Sequence, residues 1–288
     1  MEEVDGVIVG AGVVGLATAA RLAKDGAVVL VLEAHPRAGV ETSSRNSEVV
    51  HAGLYYPAGS LKSRLCHEGR RALYRLASES GVFVKKTGKL VVAVDAQEAA
   101  GLEALTTKAR AAGAEGLELM DGAEAARRAP GLKAAAALWS PETGIVDSED
   151  LMAHFQRKAL DGGADFLFST KLTAAERSLG AWSLTLSTGE RLRSRWVVNA
   201  AGLHSDKVAA LTGLDVDAAG YRLHWCKGDY FRMKRAPSLA HLVYPMPGHH
   251  GLGVHLTLDR EGGVRLGPDA AFTSSLDYAV DPGKASAF

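Results

Sequence analysis

The chain has 288 residues, 33 Lys and Arg against 33 Asp and Glu, and a hydrophobic content of 47%. At ~150 residues per domain this suits about two domains with an ample core, and the balanced charge offers no footprint for nucleic acid or an acidic membrane. No run approaches the ~20 apolar residues of a membrane span, and two cysteines, Cys66 and Cys226, make neither a disulfide framework nor a metal cluster.

The acidic start, Glu2-Glu3-Val4-Asp5, leads into an apolar stretch broken by glycines. It reads as a buried strand and not as a signal peptide, so the expected location is cytoplasmic. Val7-Ile8-Val9 is that strand, followed by Gly10-Ala-Gly12-Val-Val-Gly15, a helical segment to Lys24, Gly26 at its C-terminus and a second strand, Val28 to Leu32, ending on Glu33. In this unit Gly10 permits the turn, Gly12 lets a pyrophosphate approach and Gly15 lets helix and strand pack closely. The helix N-terminus offers N–H groups and a positive dipole end to phosphate. Glu33 is placed to accept hydrogen bonds from a ribose diol. A single glycine would be no more than a turn; the complete strand–glycine–helix–strand–acid unit predicts a bound dinucleotide.

Ala34 to Ser47 is small and polar, and Thr42, Ser43, Ser44, Arg45 and Asn46 are candidates to line a phosphate or flavin. Val49 to Pro57 follows, in which His51, Tyr55 and Tyr56 flank a small Ala-Gly pair suited to a flat ring. Lys62 to Ser80 is a predicted helix with Leu65, Leu73 and Leu76 on its inner face. Gly88 to Val94 is a strand, Gln97 to Ala112 a helix with Leu102 and Leu105 facing inward, and Ala123 to Ala129 a short helix stopped at Pro130-Gly131.

Ser148 begins a capped helix running to about Leu160, Ala164 to Thr170 reads as a strand, and Trp182 to Trp196 as a hairpin. Trp196 to Gly202 is a buried strand leaving through Ala200, Ala201 and Gly202, small enough to lie against a dinucleotide. Ser205 to Leu211 is helical. From Tyr221 onward the chain is strand-rich, with a hairpin turn at Gly262-Gly263. The expected architecture is α/β: a discontinuous Rossmann-type dinucleotide-binding domain (1–80 and 148–218) with a second, mostly antiparallel β-sheet domain (81–147 and 219–288).

Several stretches, in order along nearly the whole chain, carry a resemblance: Asn46 to Pro57, Thr143 to Asp147, Ala200 to Asp206, Lys227 to Phe231, Tyr244 to Pro247, Gly253 to Thr257 and Leu266 to Asp269. Together they resemble the FAD-dependent L-2-hydroxyglutarate dehydrogenases and oxidases of the D-amino-acid-oxidase-like superfamily. Family members continue beyond Phe288 with a segment that returns to the FAD domain. The resemblance implies FAD as cofactor, held by Gly10, Gly12, Val14, Gly15, Glu33, Ala34, Thr42 to Ser47, His51, Lys171, Leu172, Ala200, Ala201 and Gly202. It implies oxidation of a 2-hydroxy acid, foremost L-2-hydroxyglutarate to 2-oxoglutarate, with hydride transfer to flavin N5.

A base for the hydroxyl proton must titrate near neutrality, which favours His. His255 is the candidate base and His51 the candidate for flavin-side contact. Tyr55, Lys227, Tyr244 and His255 are candidate substrate contacts, with Arg45 a further donor for a carboxylate. The electron acceptor is oxygen, a quinone or an electron-transfer protein; neither a metal nor a nucleic acid is expected. The alternatives are an amino-acid or amine oxidase of glycine or sarcosine type and a non-catalytic dinucleotide-binding fragment.

Overall fold

The computed structural model describes residues 2–248 and 253–288. They form two compact units: Met1–Asn46 with Ser148–His224, and Ser47–Asp147 with Trp225–Phe288.

The first unit is built on a six-stranded sheet in the order Leu172–Ser178, Ala181–Leu186, Arg191–Asn199, Glu2–Val9, Val29–Leu32, Asp165–Leu167. The last four are parallel, and the first two form an antiparallel hairpin on the edge. Period-two alternation decides which face each side chain serves. Ile8, Val29 and Val31 pack with Leu16, Ala19 and Ala23 of the helix Val13–Lys24 and with Met152 and Ala159 of the helix Ser148–Asp161. Val7, Val9, Leu30 and Leu32 point the other way, against Leu184, Leu186 and Val208. Both faces are covered, so the central strands are continuous apolar runs.

The second unit centres on a seven-stranded sheet in the order Phe231–Arg232, Val264–Gly267, His255–Leu258, Leu242–Pro245, Lys89–Ala93, Ala136–Ser140, Glu118–Asp121. All neighbours are antiparallel except Leu242–Pro245 and Lys89–Ala93. The helix Ala96–Ala111, capped by Asp95 accepting from the Glu98 amide at 2.9 Å, lays Leu102 and Ala109 on Val91 and Leu138. Val49–Val50, Gly144–Val146 and Val84–Lys85 make a small antiparallel sheet.

Three expectations need correction. The first unit ends at Asn46, not near residue 80, because the helix Leu61–Ser80 is bound to the second unit's chain. Its buried face is also more polar than the leucine stripe: Leu65 is 51% exposed and Leu73 and Leu76 are half-buried, whereas Ser63, His67 and Arg70 are buried. Ser63 Oγ and His67 Nε2 both donate to the Ala112 carbonyl, Tyr74 donates to that of Glu142, and Arg70 donates to Glu115 at 2.8 Å. Polar partners on the far side, invisible to periodicity, turn this helix. Lastly, the strand-rich stretch from Tyr221 opens on two short strands only, Trp225–Lys227 and Phe231–Arg232, in different sheets.

Arg70 is the test of that helix. Its side chain is 1% exposed, and Nε and Nη1 lack hydrogen-bond partners. Removing the guanidinium opens a cavity under the helix, while Arg71 still holds Glu115, so Arg70→Ala should cost on the order of 2–4 kcal/mol. Leu65→Ala should stay within ~0.5 kcal/mol of the parent. Urea unfolding of the two variants measures both, and equal losses would restore the leucine face.

Candidate functional site

In the first unit the sequence builds a cradle from backbone. The strand Glu2–Val9 delivers Gly10 at φ +107°, where a Cβ would lie 2.4 Å from the Ala200 carbonyl oxygen. A Cβ on Gly15 would lie 1.9 Å from the Gly10 carbonyl, so the helix enters against the turn only with glycine there. Gly12 is the helix N-cap in extended conformation, and the first turn carries no acid. Val14 on that turn is 67% exposed. Val13 N donates to Ser43 Oγ at 2.9 Å, which brings the polar loop after Glu33 to the helix N-terminus. Glu33 is 8% exposed and reaches back: Oε2 accepts from the Ala11 amide at 2.8 Å, and Oε1 from the His35 amide at 2.9 Å. It therefore holds the glycine loop as well as offering a carboxylate to a ligand.

The remaining candidates on this unit are placed unevenly. Ala200 N donates to Val9 O, and Gly202, at φ +53°, opens the 3-10 turn Gly202–His204, so the Ala200–Gly202 exit lies beside Gly10. Ala34 is exposed. Ser44, Arg45 and Asn46 donate to carbonyls of their own loop, Val40 through Ser43, with Thr42 among the acceptors. Lys171 pairs through its backbone with Ser187, and the Leu172 side chain is buried in the core. Ala201 N accepts no more than a local role, donating to Asn199 Oδ1. Ser47 and His51 belong to the second unit, where Ser47 shares a hydrogen bond with the Tyr230 hydroxyl. The glycines that exclude any Cβ, the acid-free helix N-terminus and the buried Glu33 fit the pyrophosphate and ribose of a dinucleotide.

The second unit gathers a different chemistry around Lys89. This residue opens the strand Lys89–Ala93 and is 1% exposed, with no carboxylate within ion-pair distance among the described residues. Its Nζ donates to the Tyr55 hydroxyl at 3.3 Å and lies over two rings, Tyr55 at 4.8 Å and Tyr244 at 4.5 Å. Burial pulls its pKa down to about 7. Tyr244 stacks on His255, with centroids 3.8 Å apart and planes at 19°. Burial raises both tyrosines well above their ordinary range, so they are hydrogen-bond donors and not bases.

His255 is 4% exposed, and its Nδ1 meets the Gly253 carbonyl at 2.8 Å. A carbonyl can only accept, so Nδ1 carries the proton and Nε2 the lone pair. Nε2 has no hydrogen-bond partner among the described residues. Burial, aided by the Lys89 charge, lowers the ring's pKa to about 4 against the pull of the Gly253 carbonyl. His51 is likewise lowered to about 4, first by burial and then by Lys89, His255 and Lys62. Both rings are neutral at pH 7.

The structure thus brings His51, Tyr55, Tyr244 and His255 together and leaves Lys227 elsewhere. Lys227 donates to the Ala279 carbonyl and sits 3.8 Å from Asp229 and 3.6 Å from Asp277, so its charge is already answered. Lys89, at the centre, was not foreseen. The signal was a lysine inside the apolar run Gly88-Lys-Leu-Val-Val-Ala, where a charge almost never lies buried without a partner.

The model of the family described as FAD dependent oxidoreductase matches residues 5–288. The chain belongs to the FAD-dependent oxidoreductase family. Within that family it is 36% identical to a protein of Arabidopsis thaliana named L-2-hydroxyglutarate dehydrogenase, mitochondrial, an alignment covering all of this chain and 68% of the relative. It is 34% identical to the Homo sapiens protein of the same name, over 92% of this chain and 60% of that one. The chain therefore spans roughly two thirds of the length of these relatives. Its fold is similar to that of the FAD-bound L-alpha-glycerophosphate oxidase of Mycoplasma pneumoniae, with a TM-score of 0.89 at 24% identity, covering 96% of this chain and 73% of that one. It is also similar to glycine oxidase from Geobacillus kaustophilus, with a TM-score of 0.85 at 23% identity, covering 98% and 75%. The family cofactor is FAD, and among the described residues no helix is long and apolar enough to cross a membrane.

Gly12→Val places a side chain at the pyrophosphate position, where even a Cβ meets Ser43 Oγ at 2.9 Å. It should reduce FAD affinity by at least about 100-fold, as the close approach at the second glycine requires. Glu33→Ala should lower both FAD affinity and thermal stability, since it leaves the Ala11 amide without its acceptor. Flavin fluorescence titration and melting curves read the two effects; an unchanged melting temperature would mean Glu33 does not support the loop.

The buried lysine makes stability depend on pH. Above pH 7 the folded chain releases the Lys89 proton that the unfolded chain keeps until about 10.5, so this contribution to stability rises over that window. The two histidines add a rise between pH 4 and 6.5 for the same reason. Melting curves should show the upper rise in the parent and lose it in Lys89→Met.

Proposed function

We propose that this chain carries the oxidation of a 2-hydroxy acid to a 2-oxo acid, with L-2-hydroxyglutarate as the substrate. The observation that carries the reading is His255: buried, neutral, its tautomer set by the Gly253 carbonyl, with a lone pair on Nε2 that no described residue uses. Such a nitrogen can accept the hydroxyl proton, although burial makes it less basic than the near-neutral base expected from the sequence. FAD, when bound, supplies the two-electron acceptor for the C2 hydrogen.

The chain's own groups divide the remaining work. Stacking on Tyr244 holds the imidazole plane, and the low basicity of both histidines keeps them unprotonated while an anionic substrate arrives. Tyr55, half-buried, offers a hydroxyl donor to substrate oxygen. Lys227 is left out of the substrate site because Asp229 and Asp277 already neutralise it. The curated relatives named L-2-hydroxyglutarate dehydrogenase support the choice of substrate. The two unpaired cysteines suit a reducing, cytoplasmic compartment, and the final electron acceptor is oxygen, a quinone or an electron-transfer protein.

Anaerobic stopped-flow reduction of the FAD-loaded chain by L-2-hydroxyglutarate tests this directly. His255→Ala should keep the flavin spectrum and slow reduction by on the order of 10²–10⁴, the range for a lost acid–base group. A rate within a few-fold of the parent would move the base to His51. Faster reduction by glycine or another amino acid than by the hydroxy acid would replace the reading with an amine oxidase.

A further inference from the structure

Lys89 has no place yet in that reaction. It is the one large charged side chain of its strand, 1% exposed, and described residues of several elements face it. From the 51–56 segment come Tyr55, which it touches, His51, which feels its charge, and Tyr56. The helix Leu61–Ser80 contributes Cys66 and Lys62, and the neighbouring strands contribute Tyr244 and His255. No group among these is an acid that would be ionised at neutral pH. Two aromatic faces and one hydroxyl oxygen are a poor exchange for water around an ammonium.

The hydrogen bond tells how the charge is used. Nζ donates to the Tyr55 oxygen, at 3.3 Å, so the Tyr55 proton is free to be donated outward. Tyr55 is the half-buried member of the pair and Lys89 the fully buried one. We propose that Tyr55 and Lys89 form a relay for a substrate carboxylate, in which the Tyr55 hydroxyl donates to the carboxylate and Lys89, behind it, becomes fully charged only when that anion is present. Lys89 is then a positioning residue, acting through Tyr55, and the chain selects anionic substrates by taking up a proton together with the ligand. This rests on the 2-hydroxy-acid reading and adds its means of recognising the acid.

The coupling has a second effect. The charge that arrives with the substrate lies on the ring that stacks His255, and it further disfavours protonation of that imidazole. Binding the acid therefore protects the base that the acid needs.

Glutarate, a dicarboxylate without the reactive hydroxyl, is the probe. Calorimetric titration of the FAD-loaded full chain in two buffers of different ionisation enthalpy counts protons taken up on binding. About one proton per glutarate is expected at pH 8.5, where Lys89 is mostly neutral, and almost none at pH 6. Lys89→Met should abolish the uptake and weaken binding at least tenfold; Tyr55→Phe should weaken binding and reduce the uptake. A packing role would instead weaken binding equally at both pH values, with no uptake in the parent. Uptake unchanged in Lys89→Met, affinity within about twofold of the parent, or no glutarate binding at all overturns the relay. Circular dichroism and melting curves of both variants guard against misfolding, and Tyr55→Phe, which removes one oxygen, keeps the test open should Lys89→Met fail to fold. Reduction of the parent by L-2-hydroxyglutarate separates the two readings: uptake without reduction sinks the proposed reaction alone, and reduction with an indifferent Lys89→Met sinks the relay alone.

Discussion

The parallel pairing of Glu2–Val9 with Arg191–Asn199 is the constraint on which the molecule depends. It joins the first strand to one nearly 190 residues further on, from Glu2 opposite Leu192 to Val9 opposite Asn199. Only when that pairing forms does the Ala200 carbonyl arrive beside Gly10, where a Cβ would block it. It also obliges the intervening chain to leave and return, so that 47–147 folds with 225–288 as a separate unit. Parallel neighbours require long crossovers, and here the crossover has become a domain.

Within the first unit, one carboxylate does two tasks. Glu33 terminates the second strand as a ribose-binding acid should, yet its oxygens are already accepting from Ala11 and His35. The buried acid thereby fixes the loop whose amides a phosphate would meet. A ribose hydroxyl approaching this carboxylate would meet oxygens already engaged with the loop, so the cradle's stability rests on the same two atoms.

The second unit shows how burial tunes basicity around a lysine that has neither a metal nor a carboxylate partner among the described residues. His51, Lys89 and His255 are all made less basic, first by loss of water, and the Lys89 charge adds to the lowering of both histidines. The tyrosines move the opposite way for the same reason, since burial disfavours their anionic form. The result at neutral pH is a set of neutral acceptors and donors around one lysine poised between its two states.

The amino-acid sequence alone determined the elements with local causes. Gly10-Ala-Gly12-Val-Val-Gly15 between two apolar runs specifies the phosphate-binding turn because the turn demands absent side chains. His255 and Tyr244 were legible as candidates through the Gly-Val-His-Leu-Thr and Tyr-Pro-Met-Pro stretches, and the apolar run Val7-Ile8-Val9 was legible as a buried strand. Tertiary structure alone decided the rest, because the causes lie far along the chain. The inner face of Leu61–Ser80 is set by the Ala112 carbonyl and Glu115, so a stripe of leucines lost to a histidine and an arginine. Lys227 looked like a carboxylate binder until Asp229 and Asp277 took its charge. Lys89 looked like an ordinary strand residue until Tyr55 and Tyr244 closed over it. A side chain's type travels with the sequence, but its solvation and its partners are properties of the folded chain, and it is these that turn a lysine into a titrating group near pH 7.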